Sequence, residues 1–362
     1  MTRNVFSRRI LVGVAGVAIA ALTVAGCSSK TPDATASGAT TTPPSEFASL
    51  SGTLKASGAT FPDAFYQKAL DGFATVAPDV DITYNAVGSG QGKKDFAAGL
   101  TDFGASDSLV KDTDGPVKGT YLYVPTVAAP ITVSYNLSGV AKLQLSPDTL
   151  AKIFATTIKK WNDPAIVADN AGVTLPDKAI TVVHRSDGSG TTGNFTKYLV
   201  AAGGASWTLG TGDTVAWPAT TQGGEKNTGV AQLIKQSDGA IGYVDFADAK
   251  AAGLVFASIK NKDGQYVAAS LDGATAAVAG ATVADDLTYN PLNAPGATSY
   301  PITAPTYLLL KPTYTDAAKG KLVKGFVKWL LTDGQELAAG VNYSKLPAAL
   351  QTKALAQLDK LA

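Results

Sequence analysis

Ile180-Thr181-Val182-Val183-His184-Arg185-Ser186-Asp187-Gly188-Ser189-Gly190-Thr191-Thr192-Gly193 is the stretch on which the reading of this chain turns. Its β-branched start reads as a strand. A loop of glycines and small hydroxyl residues follows, and residues 194–200 then read as a helix. The start of a helix leaves several backbone N–H groups without partners and carries partial positive charge. Glycine allows a ligand to come close to that backbone, and Ser or Thr adds a hydroxyl. A strand feeding such a helix is therefore a ready oxyanion site. Taken alone, the same pattern is an ordinary Ser/Thr cap with a turn glycine.

The arrangement occurs three times. Ser57-Gly58-Ala59-Thr60-Phe61-Pro62 leads into a helix expected over 63–73, and Gly88-Ser89-Gly90-Gln91-Gly92 into one expected over 93–100. Around them Val80, Ile82 and Tyr84 alternate as in a half-buried strand. Phe65, Ala69, Phe73 and Val76 recur at helical spacing, and Phe326, Val327, Leu330 and Leu331 line a late helix ending near Gly334. Strands alternating with helices give an α/β architecture. Two apolar segments with prolines, 123–130 and 300–305, read either as buried edge strands or as crossings between two lobes.

Several chemistries do not fit. No Lys-Ser/Thr pair follows the third loop's glycines, so it is not a P-loop. Neither Ser89 nor Ser189 sits in Gly-x-Ser-x-Gly, because Val87 and Asp187 hold the first position. His184, the one histidine, neighbours Arg185 in a strand-like run and so points to the opposite face. Zinc sites built on several His or Cys are unavailable.

The amino terminus carries an address. Arg3, Arg8 and Arg9 precede an apolar run over 10–25 that ends in Val24-Ala25-Gly26-Cys27. The run is shorter than the roughly 20 residues that span a bilayer, and it reads as a secretion signal over 1–26. Cys27, the only cysteine, stands where a bacterial lipobox carries its lipid. The Ser-, Thr-, Ala- and Pro-rich residues that follow read as a flexible tether, taken over 27–47. Loss of the leader leaves 27 basic against 29 acidic residues. That balance gives no broad basic field for nucleic acid, so an anion must be held by local groups.

The three loops resemble those of the phosphate-binding proteins of the bacterial high-affinity phosphate importer. Further matching segments are Asp102-Phe103-Gly104-Ala105-Ser106-Asp107, Ile158-Lys159-Lys160-Trp161-Asn162-Asp163, Gly239-Ala240-Ile241-Gly242-Tyr243-Val244 and Pro301-Ile302-Thr303. They run in order over nearly the whole mature chain.

The resemblance implies a two-lobed type II periplasmic-binding-protein fold with two hinge crossings and a central cleft. Lobe 1 is expected at 48–127 with 302–362, and lobe 2 at 128–301. It implies a phosphate site of Thr60, Phe61, Ser89, Asp107, Arg185, Ser189, Gly190 and Thr191, with Asp187 behind Arg185. Asp107 would accept the proton that phosphate carries and sulfate lacks, and Arg185 would bridge Asp107 and the ligand. It further implies a protein that is not an enzyme and has no cofactor, and because the two lobes supply the whole site, a monomer is expected. The protein would be lipid-anchored through Cys27 on the outer face of the cell membrane and would deliver phosphate to the permease of an ABC importer. A phosphatase-like enzyme on the same scaffold and a surface sensor or adhesin are the competing classes.

Overall fold

A computed structural model describes residues 46–362. The leader, Cys27 and the tether up to residue 45 lie outside the described residues. Phe47, at the end of the expected tether, is buried against Phe73 at 5.9 Å between ring centres.

In chain order the first elements are β1 (Ser51–Gly58), α1 (Asp63–Val76), β2 (Asp79–Ala86), α2 (Ser89–Ala97), β3 (Phe103–Ser106) and β4 (Leu122–Asn136). Next come β5 (Gln144–Leu145), α3 (Pro147–Phe154), α4 (Pro164–Asp169), β6 (Thr181–Arg185), α5 (Gly190–Ala202), β7 (Gln222–Gly224), α6 (Lys226–Gln236) and β8 (Ala240–Asp245). The chain continues with α7 (Phe246–Ala251), β9 (Val255–Phe256), β10 (Ser258–Lys260), β11 (Tyr266–Val267) and α8 (Leu271–Ala279). It closes with β12 (Thr303–Leu310), α9 (Ala317–Leu331) and α10 (Ala348–Gln357).

The main sheet has the order β2-β1-β3-β12-β4-β8-β6-β7, with β9 also against β4. β1 is parallel to β2 and β3, and β6 is parallel to β7 and β8. The strands that join these groups run antiparallel: β12 against β3 and β4, and β4 against β8. The register explains both Pro-containing segments. β4 pairs with β12 as far as Pro130 and with β8 from Ile131 onward. Its interior and all of β12 are buried, which is why both read as near-continuous apolar runs.

Helices pack on this sheet through the faces their periodicity marks. Phe73 of α1 meets Phe326 and Trp329 of α9 at 5.3 and 5.5 Å, edge and tilted contacts worth about 0.5–1.5 kcal/mol each beyond burial. Two helix starts differ from expectation. α2 begins at Ser89 and α5 at Gly190, so the glycines lie inside the first turn. Glycine's poor helix propensity argues for later starts, but close approach decides. A Cβ on Gly92 would sit 2.3 Å from Gly58 Cα.

Candidate functional site

Gly58 lies opposite both Ala86 and Ala105. The parallel strands β1, β2 and β3 therefore finish side by side, and their loops deliver Thr60, Ser89 and Asp107 to one place. Arg185 ends β6 opposite Gly224 of β7, which brings the loops before α5 and α6 alongside each other. Ligands of open α/β sheets gather at such carboxyl ends.

Arg185 is the hub. Its side chain is buried, and its Nη1 donates to Thr60 Oγ1 at 3.1 Å. Its Nε donates to Asp187 Oδ1 at 2.7 Å, and its Nη2 pairs with Asp187 Oδ2. Asp187 also accepts from the backbone N–H of Lys226 at 3.1 Å. Burial works to raise the Asp187 carboxyl, but the bonds and charge of Arg185 outweigh it and hold it below the usual range. The guanidinium fork is thus committed to Asp187. It makes no hydrogen bond to Asp107 and influences that group through its charge.

Asp107 is buried on the end of β3. Ser89 Oγ donates to its Oδ2 at 3.3 Å and accepts its backbone N–H at 3.2 Å. Oδ1 meets no hydrogen-bond partner among the described residues. Burial pushes the carboxyl up to about 7, against the pull of the nearby Thr306 hydroxyl, which stands outside hydrogen-bond geometry, the Arg185 charge and Ser89. A buried acceptor left open in this way is costly unless something fills it.

The third loop closes over the second. Gly90 N–H donates to Gly188 O at 3.0 Å. Gly88 has φ of +94°, and a side chain there would strike Asp187 at 2.7 Å. Ser189 Oγ caps Thr192 N–H at 3.2 Å, and the helical ladder of α5 starts at Gly193. The N–H groups of Gly190 and Thr191 precede it and have no helical acceptor. Phe61 is anchored by its carbonyl, which accepts the Tyr343 hydroxyl at 2.5 Å, so its ring is core and only its backbone faces the loops.

The residues expected for the site are therefore brought together, and two were missed. Asn227, the second residue of α6, donates through Nδ2 to Thr60 Oγ1 at 3.1 Å and Thr191 Oγ1 at 3.2 Å. Lys93 is buried and pairs with Asp213 and Asp114. Gly223-Gly224-Glu225-Lys226-Asn227-Thr228-Gly229 is a fourth glycine-flanked loop opening a helix, and that pattern was the available signal for Asn227. His184 stacks on Trp217 at 4.8 Å and bonds the Arg185 carbonyl through Nδ1, as the strand alternation implied.

Donors converging on one enclosed acceptor, at the strand ends of a type II periplasmic-binding-protein sheet, define a solute-binding protein. Residues 33–334 match the PBP superfamily domain. The chain is 38% identical over 311 residues to the phosphate-binding protein PstS of Pasteurella multocida, covering 84% of this chain and 89% of that one. It is 35% identical over 347 residues to phosphate-binding protein PstS 3 of Mycobacterium leprae, covering 91% and 93%. It belongs to the PstS family of phosphate-binding proteins. Among solved structures it resembles a high-affinity periplasmic phosphate-binding protein bound with phosphate, at 25% identity and TM-score 0.68, covering 84% of this chain and 93% of the other.

Proposed function

We propose that this protein captures inorganic phosphate outside the cytoplasm and delivers it to the permease of an ABC importer. The observation that carries the reading is the open Oδ1 of Asp107 amid converging donors. Arg185 and the hydroxyls of Thr60, Ser189 and Thr191 supply positive character, together with the N–H groups of Thr60, Phe61, Ser89, Gly190 and Thr191. Asp107 accepts the proton of phosphate in a charge-assisted bond. Sulfate brings no proton and meets a buried carboxylate of like charge. Asp187 holds the guanidinium fork in place.

In this reading the cleft lies between lobe 1, at 48–127 with 302–362, and lobe 2, at 128–301. The change of partner within β4 near Pro130 supports a crossing there. The protein binds and releases rather than converts, acts as a monomer, and is held to the membrane by a lipid on Cys27. No helix among the described residues is long and apolar enough to cross a membrane.

The test is to refold the mature chain from denaturant, which removes carried-over ligand, and titrate phosphate and sulfate by calorimetry. With Asp107 ionised, at a pH above the value of about 7 to which burial pushes its carboxyl, tight phosphate binding without sulfate heat is expected, with the preference narrowed in Asp107→Asn. A folded sample that binds no phosphate overturns the reading.

A further inference from the structure

We infer that Asn227 is a positioning residue that fixes two threonine hydroxyls as donors to the bound anion. The inference rests on the phosphate reading above. A hydroxyl has one proton and two lone pairs. Thr60 Oγ1 receives two donors, Arg185 Nη1 and Asn227 Nδ2, each at 3.1 Å. Both of its lone pairs are occupied, so it can only donate. Thr191 Oγ1 receives the other Asn227 bond at 3.2 Å. Neither hydroxyl donates to a protein acceptor among the described residues. One amide therefore reaches from the start of α6 to the loop after β1 and to the first turn of α5. There it sets the polarity of two groups that the sequence places far apart.

The other end of the amide separates Asn227 from an ordinary core asparagine. Asn227 is fully buried, yet its Oδ1 has no partner among the described residues. A side chain present to hold the fold together has both ends satisfied. Here only the donor end is used, and it is used on two hydroxyls that border the anion site. An oxyanion offers acceptors, so a hydroxyl turned to accept is of no use to it. Without the Nδ2 donor Thr191 loses the bond that orients it and Thr60 keeps only the one from Arg185, so both hydroxyls must be ordered further when the ligand binds.

A double-mutant cycle read by phosphate calorimetry tests this. The protein is the refolded full mature domain, and melting curves without ligand check that each variant is folded. Asn227→Ala should weaken phosphate binding by roughly tenfold to a hundredfold, the range for bonds to a charged group. In the Thr60→Val/Thr191→Val background the same change should alter affinity by less than about threefold. Asn227→Leu fills the volume and serves if the alanine variant melts too early. Asn227→Gln, which keeps the donor, should recover part of the loss. Equal losses in both backgrounds would mean that Asn227 acts independently of the threonines and would overturn the inference, as would an Asn227→Ala protein that binds as tightly as the parent. A folded parent that binds no phosphate removes the proposed function itself, and this inference with it. A parent that binds but shows no coupling removes the inference alone.

Discussion

Lys93 Nζ lies 2.9 Å from Asp213 Oδ2, although 119 residues separate them in the chain. Lys93 belongs to α2 and is buried; Asp213 follows α5, and its carbonyl accepts the N–H of Ser189 at 2.9 Å. Ser108 Oγ also donates to Asp213 Oδ2 at 2.8 Å, and Asp114 takes a second bond from Lys93. The pair thus ties the second loop of the site to the third. Removing one partner of a buried ion pair costs about 3–5 kcal/mol, because the other charge is left unpaired. Lys93→Met should lower unfolding stability by that order in urea titrations and weaken phosphate binding at least tenfold. The Lys93→Met/Asp213→Asn protein should lose less than the sum of the single changes.

Asp107 gives a pH dependence of definite sign. In the folded, ligand-free protein its carboxyl is pushed up to about 7, chiefly by burial, against an ordinary 3.8. Between those values the folded state keeps a proton that the unfolded chain has released. Stability from this group therefore falls as pH rises from 3.8 to about 7, by about 4 kcal/mol at most. Denaturant titrations of the ligand-free protein across pH 4 to 8 should show this fall relative to Asp107→Asn. The same protonation makes the carboxyl a donor. Sulfate binding should accordingly strengthen below pH 7 in the parent and stay flat with pH in Asp107→Asn.

Gly190 occupies the first position of α5 and touches the second loop. An added Cβ would stand 2.5 Å from Ser89 Oγ and 2.8 Å from Asp107 Cβ. Serine can rotate, but the Asp107 Cβ cannot yield without moving β3. Alanine is otherwise the better helix former by about 1 kcal/mol. Gly190→Ala should therefore keep a parent-like circular dichroism spectrum and a melting point within a few degrees. Its phosphate affinity should fall by at least tenfold in calorimetry.

Arg185→Lys preserves charge and removes the fork. A lysine cannot hold both oxygens of Asp187 and also reach Thr60. Phosphate affinity should drop at least tenfold, and adding Asp187→Asn should cost little more, since the pair acts as a unit. Full additivity of the two losses in calorimetry would count against the coupling of Arg185 and Asp187.

What the sequence disclosed follows the range of the interactions involved. The three loops were legible because their signal is local, glycine and hydroxyl residues next to a helix start. Asp107 could be assigned only through the resemblance, since no periodicity distinguishes a buried carboxylate from a turn aspartate. Asn227 escaped because its partner Thr60 lies 167 residues away. Lys93 escaped because lysine ordinarily marks a solvated face. The helix starts at Ser89 and Gly190 were set late because propensity penalises glycine, whereas the bare backbone is what lets the loops touch.

The position of β12 has a consequence for how the molecule is made. This strand, from residues 303–310, lies between β3 and β4. Those two neighbours are synthesised long before it, and each lacks its partner on that side until β12 is made. The amino-terminal part of the sheet is completed only when nearly the whole chain is present. Assembly is thus dominated by contacts between distant segments, the condition that slows folding.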